Sequence, residues 1–193
     1  MKHLHELESE ILTLDERGGE ETQKVDLLSR LSFELAAEEP KRALEIGTEA
    51  HELAVSLSYE QGIRYSMLAI GFSQSMLSDH GAALPPLFES LPLFERSGDE
   101  WGRARNLTAI AQTQLSMGDY SQALGNGFEG LKTFRKLGKR ADEAWTIYGI
   151  AVAYHELGDY DRSLEQHRKS MEIFKELDNC VGQARSLTGI ETV

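Results

Sequence analysis

A single cysteine, Cys180, stands in 193 residues. That excludes a disulfide framework and a multi-cysteine zinc site, and it fits a reducing cytoplasmic setting. Basic residues are few: 20 Lys and Arg face 32 Asp and Glu, for a formal net charge of −12. Nucleic-acid binding needs clustered cations in excess to neutralise phosphates, and an anionic membrane surface attracts the same chemistry. Neither partner suits this balance. No apolar run approaches the roughly 20 residues of a membrane span. The opening MKHLHELESE has no apolar stretch of the kind a secretory leader carries. Strand-like alternation of apolar and polar residues is sustained nowhere. What the chain does have is 40% apolar residues, enough for a packed core, and a repeat.

SMGDYSQALGNGFEGLKTFRKLG, from Ser116, aligns without a gap on ELGDYDRSLEQHRKSMEIFKELD, from Glu156, at an offset of 40. LSDHGAALPPLFESLPLFERSGD, from Leu77, joins one register earlier. The preceding segments agree too, placing Met67, Leu107, Ile147 and Leu187 in one column and Ile70, Ile110, Ile150 and Ile190 in another. A weaker copy upstream carries Leu28, Leu31, Leu35, Ala43, Leu44 and Ala50, with a loop one residue shorter near Glu39-Pro40. Within each copy the spacing is helical: Ile147, Ile150, Ala151 and Tyr154 lie at i, i+3, i+4, i+7. Gly118-Asp119-Tyr120 and Gly158-Asp159-Tyr160 divide the copies. Glycine there suits a left-handed helix end and aspartate the cap of the next helix. Each copy is read as a helix, a tight turn and a second helix.

These residues resemble the tetratricopeptide repeat (TPR). Gly71, Ala111 and Ala151 match the family's small residue of the first helix, and Tyr154 its aromatic, replaced by Gln74 and Gln114 elsewhere. Ala43, Ala83, Ala123 and Ser163, then Ala50, Ser90, Gly130 and Ser170, match the small residues of the second helix, where backbones cross closely. The period exceeds the common 34. It is similar to the 40-residue variety of kinesin light chains, Rap-type regulators and TPR modules of bacterial signalling proteins. The fold implied is all-α: a right-handed superhelix of about four hairpins with an N-terminal helix and a partial fifth repeat.

The expected boundaries are one solenoid domain over 1–193, with repeats near 22–58, 60–98, 100–138 and 140–178 and a partial repeat at 180–193. Residues 4–16 are expected as an amphipathic cap. A repeat broken off in its first helix suggests a fragment of a longer protein. Pro85, Pro86 and Pro92 lie in the second helix of one hairpin, and proline in a helix interior removes a donor and clashes with the previous turn. That helix is expected to start late or bend near Pro92.

The resemblance implies that the first helices line a concave groove for an extended peptide or protein segment. Carried over by position, that face would present Tyr65, Leu68 and Phe72, then Arg105, Thr108 and Gln112, then Trp145, Tyr148 and Val152, and Arg185. Aromatic and Arg side chains carry most interface energy, so Arg105 and Arg185 would meet acidic groups and the aromatics apolar ones. The family's carboxylate clamp is not matched, since its positions hold Ala69, Ala109 and Gly149. The implied role is a non-catalytic binding module, regulatory or sensory within a larger bacterial signalling protein. The alternative is a self-association module, promoted by an apolar patch on the last helix. No catalytic, cofactor or metal site is expected. His3 and His5 alternate near the start, but the remaining histidines, His51, His80, His155 and His167, show no ligand spacing.

Overall fold

A computed structural model describes residues 2–17 and 20–193, without the side chains of residues 2, 3 and 15–17. The described residues form ten α-helices and no strand. They are α1 Lys2–Arg17, α2 Glu21–Leu35, α3 Pro40–Ser56, α4 Glu60–Met76 and α5 His80–Ser97. Then come α6 Glu100–Met117, α7 Tyr120–Leu137, α8 Arg140–Glu156, α9 Tyr160–Glu176 and α10 Cys180–Thr192. The chain divides into two compact units, the first ending at Gly98 and the second beginning at Asp99.

The turns follow a rule finer than the repeat. A residue with positive φ recurs every 20 positions from 58 to 178. Gly98, Gly118, Gly138 and Gly158 take it at φ of 70°, 86°, 66° and 76°, where the missing Cβ removes the steric cost. Ser58, Ser78 and Asp178 adopt the same region at 52°, 62° and 51°, and for them it carries strain. The residue after each turn stands at the helix N-cap. Asp79, Asp99, Asp159 and Asn179 accept from the backbone N–H three residues on, at 2.9–3.3 Å. Asp119, expected to do the same, makes no such bond.

Each unit is built from neighbour-on-neighbour packing. In the first, α3 packs against both α2 and α4, α2 also reaches α4, and α4 packs on α5. In the second, α7 packs against α6 and α8, α9 against α8 and α10, and α8 touches α6 and α10. Contacts that stay this local are the mark of a repeat architecture. The small residues of the second helices are buried at every crossing, from Ala43 and Ala50 to Ser163 and Ser170. A Cβ added at Gly130 would come within 2.7 Å of Thr108 and 3.2 Å of the Ala104 carbonyl. Phe94, Phe134 and Phe174, spaced by 40, fill the second-helix ends and are fully buried. A polar column runs beside the apolar ones: Ser66, Asn106, Thr146 and Ser186 are all buried in one register. His51 reaches the hydroxyl of Ser66 at 3.0 Å, and Ser170 that of Ser186 at 2.9 Å.

One part of a local expectation, the late start, is corrected. The proline-bearing α5 does not start late; it runs from His80, capped by Asp79, through Pro85, Pro86 and Pro92 to Ser97. Pro85 and Pro92 are exposed. The carbonyls that lose their donors belong to Gly81, Ala82 and Phe88, none of them buried, so water replaces the lost bonds at little cost.

Candidate functional site

The expected groove residues fall on α4 of the first unit and on α6, α8 and α10 of the second. On α4 they are packing residues in large part. Leu68 is 1% exposed and offers no surface to a ligand. Phe72 stacks on Phe33 of α2 with centroids 4.5 Å apart. Tyr65 meets Phe94 edge-on at 5.1 Å, with Arg64 over both rings.

In the second unit the same register assembles cations and aromatics. Arg105 lies over the ring of Trp101, one turn earlier on α6, at 4.7 Å. Lys139 approaches that ring at 5.2 Å. The Trp101 indole N–H donates to Asp142 of α8 at 3.0 Å, tying α6 to α8. Trp145 is half-buried on α8, backed edge-on by Phe174 at 4.7 Å and Tyr148 at 6.1 Å. Arg185 of α10 lies over Trp145 at 5.5 Å. A guanidinium held on an aromatic face keeps its planar N–H fork directed outward for a carboxylate. Thr108 spends its hydroxyl on the Arg105 carbonyl at 2.9 Å. Gln112 is exposed and Val152 half-exposed.

A clamp of charges flanks this face. Glu143 of α8, its side chain 7% exposed, accepts from Arg135 at 3.0 Å and from Arg140 at 2.7 Å. Burial alone would raise its pKa. The hydrogen bonds from Arg135 and Arg140 outweigh burial and hold the carboxyl below its ordinary value. Arg140 continues to Glu176 at 2.5 Å, joining α8 to the end of α9. Among the described residues no cluster of three His, Cys, Asp or Glu side chains could hold a metal. His5 sits beside Glu8 at 3.3 Å, and the side chain of His3 lies outside the described residues. No helix is long and apolar enough to cross a membrane among the described residues.

Two partners of this site escaped the sequence reading. Trp101 stands four residues before Arg105, a spacing at which side chains meet on a helix, so its signal was present. Phe174 reaches Trp145 across the helix pair, which spacing along the chain does not reveal.

The molecule has a helical-repeat fold. Solved structures share it, among them these three. A Rap protein in complex with Competence and Sporulation Factor superposes with a TM-score of 0.77 at 14% identity, over 86% of this chain and 47% of that one. BtubC from P. vanneervenii gives 0.72 at 17%, over 97% and 77%. A signal transduction ATPase with numerous domains from Pyrococcus horikoshii, bearing a tetratricopeptide repeat sensor, gives 0.65 at 18%, over 89% and 27%. The chain thus spans about half of the Rap chain. No protein-family model matches the sequence, and no curated protein is similar to it.

Proposed function

We propose that the chain is a non-catalytic TPR module of the 40-residue variety. It binds a protein or peptide segment on the face formed by α6, α8 and α10, as the regulatory or sensory part of a larger signalling protein. The observation that carries this reading is the Arg185–Trp145 pair spanning α10 and α8, with Arg105 on Trp101 beside it. Stacked guanidinium groups on half-buried indoles are what a segment with acidic and apolar residues would engage. The Rap neighbour, held in complex with a factor, and the sensor repeats of the Pyrococcus neighbour support a binding role.

Selection from a random fluorescent peptide pool tests it. Retained peptides should be enriched in Asp or Glu next to apolar residues. Trp145→Ala and Arg105→Glu should each cut binding at least tenfold without changing helicity or oligomeric state. Binding retained in both variants removes this face from consideration.

A second reading, self-association, has its own observation. Leu187 on α10 is 46% exposed, whereas its register equivalents Leu107 and Ile147 are 3% and 1% exposed. Val181, near the start of the same helix, is also exposed.

A further inference from the structure

His167 on α9 is 2% exposed, and its Nδ1 is buried without a hydrogen-bond partner. Gly189 of α10 lies against the imidazole. A Cβ there would fall within 2.6 Å of Nδ1, so the absent side chain is what lets α10 close over the ring. From α8 the ring meets Tyr148, with centroids 5.6 Å apart, and feels the charge of His155.

The other charges on the packed elements are paired elsewhere or exposed to solvent. On α8, Arg140 pairs with Glu143, Asp142 accepts from Trp101, and Glu156 lies 3.6 Å from His155. On α9, Glu165 pairs with Lys169, Arg162 with Asp159 and Glu176 with Arg140, while Asp161, Arg168, Glu172 and Lys175 are exposed. On α10, Arg185 lies over Trp145 and Glu191 is exposed. No carboxylate pairs with the imidazole. Burial first, then the His155 charge, holds its pKa below the ordinary value.

We propose that His167 is a protonation switch that releases α10 from α9. An imidazolium at this site would be a charge only 2% exposed, with its Nδ1–H buried and lacking an acceptor, and it gains full solvation only if the seam opens. The element that yields is α10, which buries Gly182 and Ser186, while α8 is anchored by Ala144, Ile147, Ile150, Ala151 and Tyr154. Opening takes up a proton. The closed seam is therefore favoured above the ordinary histidine value near 6.5 and loses that preference as pH falls below it. The opening constant grows by up to roughly tenfold per pH unit until the closed form itself protonates. This device stands whether or not the neighbouring face binds a peptide.

Amide hydrogen exchange on the full chain between pH 7.5 and 5 tests it without any ligand. Protection factors in α10 should fall below pH 6.5 while those in the middle of α8 hold. His167→Leu should abolish the pH dependence; leucine occupies this register in α5 as the buried Leu87. Gly189→Ala should open α10 at both ends of the range. Unchanged α10 protection in the wild type, or the same fall in His167→Leu, overturns the proposal. Should that variant not fold, the NMR titration of His167 decides. A midpoint below 6.5 with α10 amide shifts moving at the same pH supports the switch, and a midpoint at or above 6.5 overturns it.

Discussion

At the scale of single residues, backbone conformation separates positions that look alike in composition. Ser78 sits at φ 62° in the same turn that Gly118 and Gly158 make. A Cβ in the left-handed region costs about 1 kcal/mol or more, partly offset by the greater freedom glycine has when unfolded. Ser78→Gly should therefore stabilise by about 0.5 kcal/mol, and Gly158→Ala destabilise by about 1 kcal/mol, in urea denaturation. Equal and same-signed changes would remove the conformational explanation. Glycines inside helices divide as well. Gly125 and Gly127 lie two residues apart on α7. A Cβ at Gly127 would sit 3.2 Å from Ile150, while Gly125 faces open space. The two differ because which side of a helix touches a neighbour depends on the neighbour.

At the scale of elements, helix pairs are joined by a few charged links over a mostly apolar seam. Glu143 is the most buried of these carboxylates, and its two arginines come from the end of α7 and the start of α8. Its depressed pKa means that the folded state holds the ionised form better than the unfolded state does. That stability is present above the ordinary carboxylate value near 4.5 and is lost as pH falls through the lowered one. Glu143→Gln should cost about 1–2 kcal/mol at pH 7, since the arginines are half-exposed and keep their water. The variant should also show a shallower loss of stability between pH 5 and 3 by thermal melting. A parallel acid limb in both proteins would show that Glu143 is not the group responsible. The spacing of Arg135, Arg140 and Glu143 was visible in the sequence. That Glu143 is, among the described residues, the carboxylate turned inward was not, because it lies in the polar stretch that opens α8.

At the scale of the whole molecule, exposed apolar surface and net charge oppose each other. The exposed Leu187 and Val181 favour association, while a charge of −12 keeps copies apart at low ionic strength. If self-association is the role, light scattering should show a dimer that strengthens with salt and dissociates in Leu187→Asp, a change at an exposed position that spares the core. A monomer at high concentration and high salt would end that reading. The ten helices of the described residues, their order and their pairing were legible in the 40-residue columns and, for α1, in the amphipathic pattern of residues 4–16. The division after Gly98 was not, since the repeat continues through that point without a break in pattern.

By itself the sequence determined periodicity: which residues are helical, where turns recur, which small residues stand at crossings, and that acidic charge dominates. These follow from local stereochemistry and from the need of each helix to hide one stripe of apolar residues. Only the tertiary structure decided which candidate side chains remain available. It buried Leu68 and stacked Phe72 on Phe33. It brought Trp145 under Arg185 and closed α10 over His167. The reason is physical: a side chain's exposure and electrostatic surroundings depend on what the neighbouring helices bring to it, and a repeat register records position without recording neighbours.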